Sequence, residues 1–97
     1  MNTLVQFSDY QTATGYWQVG YYKSFKAGRD NFVLPARAMG MHLDEYYQWV
    51  IDNFDPIIRT HNDKGLIVFG WTDYNKAHKL TLLLNREARK RNLYLTT

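Results

Sequence analysis

The chain has 97 residues, with 12 lysines and arginines against nine aspartates and glutamates, and it contains no cysteine. This length predicts one domain, 1–97, and the lack of cysteine excludes disulfides, thiolate metal sites and cysteine nucleophiles. The longest apolar run, 66–69, is far shorter than the roughly 18 residues of a membrane span. Residues 1–6 lack the pattern of a secretory signal, so we expect a cytoplasmic location and no membrane partner.

The first part of the chain predicts an antiparallel hairpin over 3–26. Residues 3–8 are rich in strand-forming types, and 9–15 have the composition of a polar turn. Residues 16–26 alternate with a period of two, and Trp17 and Val19 share the apolar side. This pattern is typical of a half-buried strand.

Two helices are predicted next. Apolar residues four and three apart indicate a helix from about residue 30, which Pro35 should kink or shorten and Gly40 should end. Asp44 and Glu45 lie in the first turn of the second helix, where the helix dipole favours carboxylates. The apolar stripe of the second helix consists of Leu43, Tyr46, Tyr47, Val50 and Phe54.

Residues 36–46 resemble the helix–turn–helix joint of many small DNA-binding proteins. They are also similar to the paired helices of ribbon-helix-helix repressors, which implies DNA binding. Pro35 and His42 depart from the pattern, and the second helix is acidic, which would repel phosphate. A generic helical hairpin explains the same residues better, so the chain is assigned to no family.

A second hairpin and a long helix complete the predicted elements. Two β-rich runs, 57–60 and 66–71, are separated by a turn at 61–65. Thr72 or Asp73 then caps a helix to about residue 91, and residues after it form a short edge strand. The apolar side of this helix consists of Ala77, Leu80, Thr81, Leu84 and Ala88.

These elements predict an α+β fold in the order ββααββα. A small antiparallel sheet of two hairpins, with about three helices packed on one face, is the simplest architecture for them. The core of so small a domain is marginal, and burial of further surface in a homodimer is therefore expected.

The charges are segregated along the chain. Residues 42–55 carry four carboxylates and no base, whereas 76–91 carry six cations and one carboxylate. Cations opposite the apolar side of the last helix, with Leu82 among them, are typical of a phosphate-binding surface. A solvated helix face whose cations complement the helix dipole explains the same pattern equally well. The candidate phosphate ligands are Lys79, Arg86, Arg89 and Lys90.

Tyrosines of the first hairpin suggest a second part of the same site. Tyr16 and Tyr22 lie on the polar side of the predicted strand, where flat rings beside cations can stack exposed bases. Cross-strand packing of the tyrosines beneath a helix is the structural alternative. The neighbouring candidate cations are Lys23, Lys26 and Arg29. We therefore expect a non-enzymatic regulatory or accessory protein that binds nucleic acid, with RNA ahead of DNA.

Enzyme, metal and cofactor motifs are absent from the sequence. The three histidines are widely spaced, and no phosphate-binding or dinucleotide-binding loop occurs. A metal-free ribonuclease would leave no linear motif and stays a minor alternative. The main alternative is an inhibitor that docks on a larger enzyme through Trp49 or Trp71, as accessory proteins of phages and mobile elements do. A third possibility is a dimer in which the acidic helix neutralises the basic one.

Overall fold

The computed structural model describes residues 2–21, 30–61 and 66–96. The strands are β1 (Asn2–Leu4), β2 (Phe7–Gln11), β3 (Trp17–Tyr21), β4 (Ile57–His61), β5 (Ile67–Gly70) and β6 (Tyr94–Thr96). The helices are α1 (Asp30–Ala38), α2 (Leu43–Phe54) and α3 (Tyr74–Lys90). The predicted α+β class is confirmed, and the order ββααββα is confirmed for β2 to α3. An additional strand, β1, precedes them and pairs with β6, the predicted short strand after the last helix.

The strands pair in three antiparallel sets: β2 with β3, β4 with β5, and β1 with β6. The two hairpins meet at Trp17 and Trp71, whose backbones form an antiparallel bridge. The Trp17 N–H donates to the Trp71 carbonyl at 2.7 Å, and the Trp71 N–H donates to the Trp17 carbonyl at 2.8 Å. The hairpins are therefore joined at this point, and helices pack against the face that carries both indole rings.

The first hairpin turns later than the sequence predicts. The expected turn at 9–15 is wrong in its first half, because Asp9, Tyr10 and Gln11 belong to β2. Their polar side chains have partners there: Asp9 contacts α3, and the Tyr10 hydroxyl donates to Gln18 Oε1 at 2.9 Å. The part of the predicted strand beyond Tyr21 lies outside the described residues.

The helical hairpin follows the predicted pattern. Helix α1 has nine residues and contains Pro35, and the chain leaves it through Gly40 at a φ of 69°. Such a left-handed conformation suits glycine. Helix α2 spans the predicted 43–54, with Asp44 and Glu45 in its first turn. Within the described residues, none of the helices is both long enough and apolar enough to cross a membrane.

Helix α3 packs on the first hairpin. Asp73 caps it: the Asp73 Oδ1 accepts a hydrogen bond from the backbone N–H of Asn75 at 2.9 Å. Asn85 fixes its position on β2: its Oδ1 accepts from the Phe7 N–H at 2.7 Å and its Nδ2 donates to the Phe7 carbonyl at 3.0 Å. The buried residues of the helix are the predicted ones: Ala77, Leu80, Thr81, Leu84 and Ala88.

Candidate nucleic-acid interface

The basic face of α3 is defined by its four exposed candidate cations: Lys79, Arg86, Arg89 and Lys90. They are spaced so that they lie on the side of the helix opposite its buried residues. Their Cα atoms extend over roughly 16 Å, because a helix rises about 1.5 Å per residue. The Arg86 and Lys90 side chains are 69% and 75% exposed. Leu82 lies among them and is 56% exposed.

The carboxylate nearest to this face, Glu87, is engaged mainly by a fifth cation. Arg91 Nη1 donates to Glu87 Oε1 at 3.1 Å and also to the Ala38 carbonyl at 3.0 Å, which ties the end of α3 to α1. Arg86 and Lys90 lie 3.9 Å and 3.8 Å from Glu87 Oε2, beyond hydrogen-bonding distance. Both cations form ion pairs with Glu87 at these distances but no hydrogen bond, so their exposed N–H donors can still reach an external anion.

Glu87 makes stability depend on pH in a defined direction. The hydrogen bond from Arg91 lowers the pKa of Glu87, burial partly opposes this, and the charges of Lys90, Arg91 and Arg86 lower it further. A depressed folded-state pKa stabilises the fold above the ordinary pKa, and this contribution is lost as the pH falls through the folded-state value. We expect acidification to lower the urea midpoint of the wild type more than that of Glu87→Gln. Equal falls in both proteins would contradict this assignment.

The acidic residues of α2 lie apart from the basic face of α3. Asp44, Glu45 and Asp52 are exposed, and Asp52 accepts a hydrogen bond from Gln48 on its own helix. Among the residues that the structure describes, no ion pair joins a carboxylate of α2 to a cation of α3. Within one molecule, the two charged surfaces do not neutralise each other.

Tyr16 is placed on the other side of the sheet from α3. Tyr16 and Trp17 are consecutive residues of extended chain, so their side chains point to opposite faces. The Trp17 ring contacts Tyr74 of α3 edge-on, with centroids 4.7 Å apart. Tyr16 therefore faces away from α3, and the Arg59 guanidinium lies 3.8 Å from the centre of its ring. The structure does not bring Tyr16 together with the basic face of α3.

Four of the predicted binding residues cannot be placed. Tyr22, Lys23, Lys26 and Arg29 lie outside the described residues. Arg59, which the sequence analysis did not select, is the cation that contacts Tyr16. Its side chain passes over Gly70, where an added Cβ would lie 2.8 Å from Arg59 Cγ. The contact between Arg59 and Tyr16 joins residues 43 positions apart, so no local pattern could have indicated it.

A polar aromatic cluster at the start of α3 was not predicted from the sequence. His78 lies at the centre of this cluster. Its Nδ1 lies 3.0 Å from Asp9 Oδ2 and 3.1 Å from the Tyr74 hydroxyl, and its ring stacks on Tyr74 with centroids 5.1 Å apart. The spacing of Tyr74 and His78, four residues on one helix, was the available signal. Their partner Asp9 could not be inferred, because it belongs to a distant strand.

Trp49 and Trp71, which were expected to dock on a partner protein, are both at least half-buried. Trp71 is 3% exposed, so its interpretation as a surface anchor is wrong: its indole lies in the core and donates to the Phe54 carbonyl at 2.8 Å. Trp49 is half-buried and packs on Tyr46 and Phe54, with ring centroids 6.1 Å and 5.5 Å away. Much of the Trp49 ring is therefore used by its own helix.

A cavity of about 280 Å³ lies near the junction of the hairpins and the helices. Two of its tyrosines have internal hydrogen-bond partners: the Tyr47 hydroxyl accepts from the Ile67 N–H at 3.1 Å, and the Tyr10 hydroxyl donates to Gln18 Oε1 at 2.9 Å. Burial raises the pKa of Tyr46 and of Tyr47, so both phenols stay neutral. None of the described residues that line the cavity is charged, so they offer no cation for binding a phosphate.

The described residues contain no group of three histidines, aspartates or glutamates that could hold a metal ion. Comparison of the chain with protein-family models, curated proteins and solved structures gave no match.

Proposed function

We propose that this protein is a non-enzymatic regulatory or accessory protein that binds nucleic acid through the basic face of α3. The observation that carries the proposal is that four cations lie on one exposed helix face and that the adjacent carboxylate is engaged by Arg91. Lysine and arginine side chains in this state can replace the counterions condensed on a phosphate backbone. The free energy of binding would then come mainly from counterion release.

The geometry favours this function over a merely solvated helix face. Cations that complement the helix dipole act within the last turn, and Arg89 and Lys90 lie there. Lys79 lies in the first half of α3 and Arg86 one turn before the end, so the dipole does not account for them. Exposed Leu82 between them adds apolar contact area that a purely solvated face does not need.

The proposal also covers the type of nucleic acid, the cellular location and the oligomeric state. RNA and DNA are both candidate ligands, because Tyr16, which favoured RNA in the sequence, faces away from α3. The cysteine-free sequence is compatible with the reducing cytoplasm, which we propose as the location. A homodimer belongs to the proposal only in an arrangement that leaves the basic face of α3 open to solvent.

The experiment is a salt titration of binding to a fluorescently labelled oligonucleotide, read by anisotropy. Four phosphate contacts predict a slope of log affinity against log salt of about −3 for a single strand, at about −0.7 per contact. Single-stranded RNA and DNA of one sequence form the two arms. Absence of binding at low salt, or a slope near zero, would contradict the proposal. A protein purified at low salt should also carry an elevated ratio of absorbance at 260 nm to that at 280 nm.

A further inference from the structure

An apolar row lies beside the cations on the exposed side of α3. Tyr74, His78 and Leu82 are four residues apart, which places them along one line of the helix. Tyr74 is 40% exposed, the His78 side chain 42% and Leu82 56%. Arg86 follows Leu82 one turn further along the same line, and Lys79 lies three residues before Leu82 on the neighbouring line. A ligand on α3 would therefore meet flat or apolar groups and cations together.

The two rings of the row are held in place before any ligand arrives. Tyr74 and His78 are stacked with an interplanar angle of 23°, and the His78 Nδ1 is fixed by Asp9 at 3.0 Å. The Asp9 side chain is largely buried and belongs to β2. Tyr74 also makes a T-shaped contact with Trp17, with ring centroids 4.7 Å apart. Fixed groups lose little conformational entropy on binding, which favours affinity.

The combination distinguishes single strands from duplexes. In a duplex the bases are stacked inside, and a helix surface can meet only the backbone or the groove edges. A single strand exposes the faces of its bases, which stack on aromatic side chains while cations contact the phosphates. Duplex DNA or RNA would use Lys79 and Arg86 but leave the apolar row without a base.

We infer that α3 binds single-stranded nucleic acid, with a base packed on the row Tyr74, His78 and Leu82 and the adjoining phosphates held by Lys79 and Arg86. The inference rests on the proposed function and adds the class of ligand and the residues that select it. The stacking tyrosine is Tyr74 on the same side as the cations, whereas Tyr16 lies on the opposite face of the sheet.

The test compares Tyr74→Ala with Tyr94→Ala, which removes an exposed tyrosine just beyond the other end of α3. Each is titrated with a short single-stranded RNA carrying one 2-aminopurine, with the DNA of the same sequence, and with the corresponding duplexes. Loss of a base–aromatic stack lowers affinity on the order of tenfold. We expect this loss for Tyr74→Ala on single strands of either sugar, no loss on duplexes, and wild-type binding by Tyr94→Ala. Quenching of 2-aminopurine by the wild type should disappear in Tyr74→Ala.

Circular dichroism shows whether each variant is folded. If Tyr74→Ala is unfolded, Leu82→Ala is used in its place, because Leu82 is exposed and its removal should leave the fold intact. We then expect a smaller loss of affinity that is confined to single strands. Salt-dependent binding that is the same in the wild type and in the row variants overturns this inference and leaves the proposed function standing. Equal loss on duplexes, or a loss in Tyr16→Ala without one in Tyr74→Ala, also overturns it. Absence of binding by the wild type overturns both.

Discussion

Replacing Trp71 with alanine is expected to destabilise the fold by about 3–5 kcal/mol, the range for removal of a large buried aromatic side chain. The indole is 3% exposed and lies near Phe69, with ring centroids 6.4 Å apart. Its Nε1–H donates to the Phe54 carbonyl at the end of α2, so the substitution also deprives that carbonyl of its donor. A domain of this size has about 5–15 kcal/mol of total stability, and the loss is therefore a large part of it.

Trp49→Ala provides the matched control. It removes the same side chain from a half-buried position at the margin of the core, where the ring contacts Tyr46 and Phe54, so the cost should be clearly smaller. Urea unfolding followed by far-ultraviolet circular dichroism measures both variants without depending on tryptophan emission. If Trp71→Ala unfolds at the same urea concentration as Trp49→Ala, the junction of the two hairpins does not contribute as the structure indicates.

Periodicity predicted the helices because the information is local. Within α3, residues three and four apart necessarily share a face, and the buried set Ala77, Leu80, Thr81, Leu84 and Ala88 agrees with the prediction. For α2, the apolar stripe from Leu43 to Phe54 coincides with both boundaries of the helix. Each of these signals lies within a few residues of the feature that it determines.

Contacts between distant elements could not be obtained in the same way. Asn85 pairs with the Phe7 backbone across 78 positions, and His78 with Asp9 across 69. Both contacts depend on how α3 is seated on β2, which no single segment encodes. The expected turn at 9–15 failed for the same reason, because Asp9 is satisfied in β2 by a partner on α3 and has no need of a turn.

One part of the candidate site was predictable from local sequence, and another part depends on tertiary packing. The four cations of α3 follow from one helix, and their exposed arrangement was predictable from it. The stacking group was assigned to Tyr16 because the strand was considered without its neighbours. Trp17, the first residue of β3, points to α3, and the preceding Tyr16 points away from it. Only the packing of α3 shows which face of the hairpin it covers. The same packing places Tyr74 beside the cations.

Removing three charges from the basic face of α3 should have the largest effect on binding. The variant is Arg86→Ala, Arg89→Ala and Lys90→Ala combined. Each lost phosphate contact on a single strand removes about 0.7 from the salt slope, so the slope should fall from about −3 to about −1. At about 0.15 M salt the same relation predicts a loss of affinity on the order of 50-fold. The measurement is the anisotropy titration on the same oligonucleotide.

The control removes three cations from outside α3 and outside the candidate site: Arg37→Ala, Arg59→Ala and Lys64→Ala combined. Both triple variants lower the formal net charge of +3 by the same amount, so a general effect of charge would weaken them equally. If binding depends on a local site on α3, the first variant loses affinity for the oligonucleotide and the second keeps it. The comparison therefore separates phosphate contact on α3 from non-specific attraction of a basic protein.

The same pair of variants tests whether the cations serve a dimer. In that arrangement the basic face of α3 would pair with Asp44, Glu45 and Asp52 of a second copy, and the substitutions on α3 would lower the mass seen by sedimentation while leaving oligonucleotide affinity unchanged. Under the proposed function the mass stays the same and affinity falls. The two outcomes are opposite because a cation that is paired with a carboxylate of the second copy cannot also contact a phosphate. It therefore releases no counterion from the nucleic acid.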